Sequence, residues 1–257
     1  MKEYDIVIVG AGIAGLTAAI YAVRAGKSVL ILEERVEGGQ IINTINIENW
    51  PGDLGISEVD LIRKITAQTT ELGAEIEYEE VVNVSQENDG FLVKTEDAEY
   101  LCKALIIASG TEPRKLGDKM MNDVGKRSVS YCATCDGALY KGKKVVVVGH
   151  GNTARHEVKY LEGICEKVYN IHHDDKIPED AEAVFVAIGR LPLTSCFKGL
   201  VDIDEKGYIV AGEDCRTSLD GVFVAGDCRT KSLRQLVTAA ADGAMAATEA
   251  VKYLADE

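Results

Sequence analysis

The stretch YCATCDG, residues 131–137, holds the side chains best suited to chemistry. Cys132 and Cys135 are separated by two residues, a spacing at which two thiols can close into a disulfide, reopen, and carry a thiol pKa lowered into the reactive range. Asp136 follows directly and is a candidate to carry the proton when one thiol leaves. A Cys-x-x-Cys pair can also be half of a zinc site, but zinc takes four ligands and no second Cys or His pair stands at metal spacing. Redox chemistry without a metal is the expectation. The other cysteines, Cys102, Cys165, Cys196, Cys215 and Cys228, read as small apolar fillers. A total of seven, irregularly spaced, predicts a reducing, cytoplasmic setting rather than a secreted disulfide framework.

Such a pair needs elements to position it and an electron carrier to serve it. DIVIVG near the N-terminus is an apolar, β-branched run typical of a central parallel strand; GAGIAG follows at once, LTAAIYAVRAG has helical composition, and SVLILEE is a second strand. Gly10, Gly12 and Gly15 have separable tasks: a tight turn, close approach of backbone to a pyrophosphate, and close helix-to-strand contact. Glu33 lies 18 residues beyond Gly15 at the end of the second strand, where its carboxylate can accept from ribose hydroxyls. Strand, helix and acid in register predict a dinucleotide site. Three further strands end in small residues: ALIIASG with Ala108 and Gly110, AVFVAIG, and GVFVAGD, which sets Asp227 at a strand's C-terminal end. Residues 232–254 then read as one Ala-rich helix. KKVVVV followed by GHGNTA repeats the opening pattern, with Gly149, Gly151 and Ala154 in the GxGxxA places. The expected fold is α/β with two Rossmann-like, three-layer domains: a split domain, 1–112 and 191–257, and an inserted domain, 113–190, carrying the cysteine pair.

The 257 residues are 46% hydrophobic, enough for two cores, yet no uncharged apolar run approaches the ~18 residues of a membrane span. A strand begins within three residues of Met1, which predicts no leader peptide. The net charge of −14 disfavours nucleic acid as a partner. Residues 112–144 differ, with eight Lys and Arg against four Asp and Glu, a local +4 around the cysteines.

In chain order, GAGIAG, GGQ (38–40), NWPG (49–52), ASG (108–110), CATCDG, AGD (225–227) and RQLVTAAADGAMAA (234–247) resemble the low-molecular-weight thioredoxin reductases over nearly the whole length. The resemblance implies FAD in the split domain, with Gly10, Gly12, Ala14, Gly15, Glu33, Gly39, Gln40, Asn49, Ala108, Gly110, Asp227, Arg234 and Gln235 as cofactor-binding candidates. It implies that Cys135 is the sulfur that meets the flavin, Cys132 the one that attacks thioredoxin, and Asp136 the acid/base. It further implies a homodimer and an inserted domain that rotates between flavin and protein substrate.

One region departs from that family. Members that use NADPH need a complete βαβαβ half and basic residues at the end of its second strand for the 2′-phosphate. Here KVYNIHH ends in His172 and His173 followed by Asp174 and Asp175. Only nine residues separate His173 from the next strand at Ala183, too few for a parallel crossover with its helix. The inserted domain therefore reads as the remnant of an NADPH-binding domain. This is similar to the ferredoxin-dependent flavin thioredoxin reductases, which lack the NADPH motifs. Lys126, Arg127 and Lys143 in the basic island are then candidates for docking an acidic ferredoxin. Three alternatives remain open at this point: an NAD(P)H-dependent reductase with a compact nucleotide site, an FAD-dependent dithiol oxidase using oxygen, and a non-catalytic flavoprotein.

Overall fold

The structure, a computed structural model, describes residues 2–43, 46–87 and 89–256. Along the chain run β1 (Lys2–Val9), α1 (Ile13–Arg24), β2 (Val29–Leu32), α2 (Glu58–Glu71), β3 (Glu75–Glu77), β4 (Val81–Glu87), β5 (Gly90–Thr95), β6 (Glu99–Ile107) and β7 (Thr111–Pro113). There follow α3 (Asp118–Val124), β8 (Ser128–Ser130), α4 (Ala133–Asp136), β9 (Lys144–Val148), α5 (Asn152–Glu162), β10 (Lys167–Ile171), β11 (Ala183–Val186), β12 (Arg190–Pro192), β13 (Val222–Val224) and α6 (Leu236–Asp256). Two compact units result, Met1–Thr111 with Pro192–Glu257, and Glu112–Leu191. The changeovers fall within β7 and β12, which pair as a two-stranded ribbon. No described helix is long and apolar enough to cross a membrane.

In the larger unit the strand order is β3-β2-β1-β6-β5-β4. β1 is parallel to both its neighbours, and β13 lies parallel to the last residues of β6. Ile6, Val7 and Ile8 of β1 are fully buried, which is why its sequence is apolar without alternation. One face is covered by α1 and α6 together, through Ala14, Ala18 and Ala22 on one helix and Ala246, Ala247 and Ala250 on the other. These small side chains permit a close crossing; a methyl group on Gly243 would lie 3.0 Å from the Ala18 nitrogen. The helix expected from residue 232 begins at Leu236, because Arg234 donates to the carbonyls of Arg229, Lys231 and Asp227 and holds the preceding residues as a turn.

The smaller unit is a four-stranded parallel sheet, β10-β9-β11-β8. α5 crosses from β9 to β10 and buries Ala154 and Leu161 against Val145, Val147 and Phe185. From β10 to β11 there is no helix. That face is closed instead by Met120 and Val124 of α3 and by Ile177 and Ala181 of the short connection, packed on Val146, Val148 and Val184. A helix would have satisfied its own carbonyls; here Arg127 does so. Its guanidinium donates to Ala181 (2.8 Å), Asp123 and Val124 (both 3.1 Å), Pro178 (3.3 Å) and Glu179 (3.4 Å). The Asp123 carboxylate accepts the Ile177 N–H at 2.6 Å. Arg127→Ala is therefore expected to destabilise this unit by about 2 kcal/mol, since several partly buried carbonyls lose a charged donor. A urea midpoint equal to that of the wild type would contradict this role.

Candidate functional site

At the end of β1 the chain turns sharply. Gly10 has φ +108°, and a Cβ there would sit 2.5 Å from the Ala108 carbonyl oxygen, so β6 and the turn are in backbone contact. A Cβ on Gly12, by contrast, would meet nothing within 4 Å. The outer face of the turn is thus open at the N-terminus of α1, where the first amides have no helical partner. Ser109, next to Ala108, carries a buried hydroxyl without a hydrogen-bond partner among the described residues. These features fit a pyrophosphate cradle. Glu33 reaches back to it: one carboxylate oxygen accepts the Ala11 N–H at 2.7 Å, the other the Arg35 N–H at 3.1 Å. Glu33 therefore braces the turn as well as offering its remaining lone pairs.

The other cofactor candidates gather at the same end of the larger unit. Gly38 N–H donates to the Ala11 carbonyl, and a Cβ on Gly39 would lie 3.6 Å from Gly12. Gln40 donates to the Thr111 hydroxyl at 2.9 Å and to its carbonyl. Asn49 donates to Gln235 at 3.1 Å. Ile13, Ile41 and Ile47 pack with Leu236 and Ala240, tying α1, the Gly39–Asn43 turn and the start of α6 together. Ala14 faces Gly226, where an added Cβ would come within 3.0 Å of its methyl group. Gly110 accepts the Leu193 N–H through its carbonyl, and Gly15 lies against the backbone of Gly10. The Arg234 guanidinium donates to the carbonyls around Asp227 and lies 4.2 Å from the Tyr208 ring, so it shapes the Asp227 turn.

Sequence reading missed what holds that turn from below. Asp242 on α6 accepts the Gly226 N–H at 3.0 Å, bonds from Arg229 at 2.9 and 2.8 Å, and one from Lys231 at 2.6 Å. Burial alone would raise the Asp242 pKa, but these two cations bring it below the usual carboxylate value. Its charge is present above the ordinary carboxylate range, and the clamp weakens as pH falls through the depressed value.

In the smaller unit Cys132 and Cys135 form a disulfide, with Cα atoms 5.3 Å apart. Cys132 occupies the N-cap of α4, and its sulfur accepts the Cys135 N–H at 3.2 Å. That geometry favours negative charge on Cys132 when the bond opens. Ser130, buried at the end of β8, donates to Asp136 at 2.6 Å and accepts the Cys132 N–H at 3.1 Å, so one hydroxyl orients the carboxylate and anchors the pair. Two positions before the first cysteine, a serine gave no sequence signal of this role.

The second glycine turn copies the first. Gly149 has φ +134° and abuts the Ala187 carbonyl, as Gly10 abuts Ala108. Beside it lies a cleft of about 300 Å³ lined by Gly149, His150, Gly151, Thr153, His172, His173, Ala187, Ile188 and Gly189. The His150 and His172 rings are 3.7 Å apart, and neither Lys nor Arg lines the cleft. Asp175 is drawn in to accept the His172 N–H at 2.8 Å, while Asp174 pairs with His173 at 3.3 Å. Of the three docking candidates, Lys126 is exposed, Lys143 is exposed with Glu182 at 3.8 Å, and Arg127 is the half-buried staple described above, which takes it out of a docking surface.

The pyridine nucleotide-disulphide oxidoreductase family matches residues 4–180 and 166–243. The thioredoxin reductase of Listeria innocua is 37% identical over 301 aligned positions, covering 98% of this chain and 94% of the relative. With 257 residues in this chain, at least 44 of those positions are gaps in it. Among solved structures, the thioredoxin reductase of Streptococcus pyogenes is 33% identical with a TM-score of 0.91, each chain covered to 99%. A ferredoxin–flavin thioredoxin reductase from Clostridium acetobutylicum is 28% identical with a TM-score of 0.65, covering 100% of this chain and 99% of the other. These oxidoreductases are FAD flavoproteins, and the first glycine turn fits that cofactor. The chain belongs to the pyridine nucleotide-disulphide oxidoreductases and, within them, to the thioredoxin reductases.

Proposed function

We propose that this protein reduces the disulfide of thioredoxin with electrons from reduced ferredoxin, and that the smaller unit is what remains of an NADPH-binding domain. One observation carries the reading: where the crossover helix and the 2′-phosphate site would stand, residues 172–182 form a short loop closed by α3, and the adjoining cleft is lined by three histidines with no Lys or Arg among its lining residues. Bound FAD supplies the exchange of electrons, singly with a donor and in pairs with a disulfide. Gly10, Gly12, Gly15, Glu33 and the Asp227 turn hold it. Cys132, as thiolate, attacks one sulfur of the substrate disulfide to give a mixed disulfide and a departing thiolate, and the Asp136 carboxylate relays the Cys135 thiol proton to that thiolate. Cys135 then attacks the Cys132 sulfur, re-forming the internal disulfide and releasing the second substrate thiolate.

A compact NAD(P)H site is the second reading, favoured by the intact turn at Gly149 and by the match to the pyridine nucleotide-disulphide oxidoreductase family. Mixing with each donor separates the two, as set out in the Discussion. We further propose a homodimer. The larger unit exposes Leu54, Val36, Ile42 and Val59, the last at a groove of about 500 Å³ lined by Glu37, Val59, Ile62, Arg63, Thr66, Ala67 and Thr70. A second copy would remove this apolar surface from water. Light scattering should give twice the 27.7 kDa chain mass, and Val59→Asp should lower it; a single-chain mass for the wild type would contradict the dimer.

A further inference from the structure

Glu33 is the first residue beyond β2, and Tyr78 is the first beyond β3. The two strands are parallel, with Leu32 opposite Glu77, and the Glu33 N–H donates to the Glu77 carbonyl at 3.0 Å. Both residues therefore stand at the C-terminal edge of the sheet, where parallel α/β sheets bind their ligands. Glu33 is the ribose candidate at that edge. Tyr78 belongs to none of the motifs that mark the cofactor site.

The Tyr78 hydroxyl donates to the Glu37 carboxylate, 41 residues earlier in the chain. Glu37 adjoins Gly38, whose N–H donates to the Ala11 carbonyl at 2.9 Å and which bridges to Gly12 as a parallel pair. The phenol thus reaches from the end of β3 to the segment beside the first glycine turn. The Glu33 carboxylate is tied to the same turn by the Ala11 N–H at 2.7 Å. Ribose acceptor, pyrophosphate turn and phenol are joined by direct hydrogen bonds at one edge of the larger unit.

Tyr78 is nevertheless 55% exposed. Its hydroxyl is held while much of its ring stays in water, which costs side-chain entropy and leaves apolar surface uncovered. A flat apolar group bound at this edge would cover that surface. A purine is such a group, since aromatic side chains stack on any nucleobase through its π-face. Glu33 and Glu37 suit an uncharged base and would repel a further phosphate.

We propose that Tyr78, strapped to Glu37, covers the adenosine half of FAD and so makes the site select FAD over FMN. The inference rests on the reading of Glu33 and the first glycine turn as the dinucleotide site.

The test is isothermal titration of the apo-protein with FAD and with FMN. Tyr78→Ala should raise the Kd for FAD about tenfold, as expected for loss of one base-stacking aromatic. FMN, which has no adenosine, should bind variant and wild type equally, and the melting temperature of the apo-protein should not move. Tyr78→Phe and Glu37→Ala remove the same hydrogen bond and keep the ring. Each should weaken FAD about threefold, and the double variant by no more than either. An unchanged FAD affinity in Tyr78→Ala overturns the proposal. So does a loss shared by FMN or accompanied by a lower apo-protein melting temperature, which marks a purely structural role. Losses that add in the double variant overturn it as well, because the two residues then act apart. If the wild-type apo-protein binds FAD and Tyr78→Ala binds it equally, this inference fails alone. If the wild type binds no FAD, the dinucleotide reading fails with it.

Discussion

Serine at either Cys132 or Cys135 is expected to lower thioredoxin reduction by several orders of magnitude, and the two variants should fail in different ways. Cys132 accepts the Cys135 N–H and sits at the N-cap of α4, so its thiolate is the stabilised one of the pair. In Cys135→Ser that thiolate still attacks, but no second sulfur resolves the mixed disulfide, and a covalent adduct with thioredoxin should accumulate on non-reducing gels. In Cys132→Ser the attacking sulfur is gone and no persistent adduct should form. An adduct from Cys132→Ser instead would exchange the two roles. Activity retained in both variants would remove the dithiol from the reaction.

What the sequence revealed were features whose physics is local. Gly10 needs φ +108° and has a carbonyl against its Cα, constraints that only glycine meets, so the turn is written in the residues themselves. Two-sided burial of β1 makes its sequence apolar throughout. The missing crossover helix could be counted: nine residues do not span it. What escaped the sequence were side chains whose partners lie far along the chain. Arg127 looks like surface charge until it is seen to bind carbonyls more than 50 residues away. Arg234 holds the backbone about Asp227, a role its sequence position does not announce. Asp242 sits in an Ala-rich run that suggests only helix, yet it clamps the Gly226 turn through Arg229 and Lys231. Ser130, beside the cysteine pair, is likewise defined by what it touches.

The second large effect concerns the electron donor. NADPH is expected to leave the flavin oxidised on any catalytic timescale. A 2′-phosphate placed at the end of β10 would meet Asp174 and Asp175 with no arginine or lysine lining the cleft, and the crossover from β10 to β11 lacks the helix of a complete nucleotide half-domain. Reduced ferredoxin should serve instead, drawn by the local +4 of residues 112–144 in a chain otherwise strongly acidic. Because that attraction is electrostatic, the rate should fall as the Debye length contracts from about 10 Å at 0.1 M to about 3 Å at 1 M salt. Lys126→Glu with Lys143→Glu should reproduce the loss at low salt, whereas Arg127 is unsuitable for such a test because charge reversal there breaks the fold of the smaller unit. The direct measurement is anaerobic stopped-flow mixing of the FAD-loaded protein with NADPH, NADH or reduced ferredoxin, following flavin absorbance. Bleaching by ferredoxin, slowed by salt, with neither pyridine nucleotide effective within a turnover, is the predicted result. Rapid bleaching by NADPH or NADH would contradict it and make this a pyridine-nucleotide thioredoxin reductase of compact form, and bleaching by none of the three would turn attention to electron transfer from dithiols to oxygen.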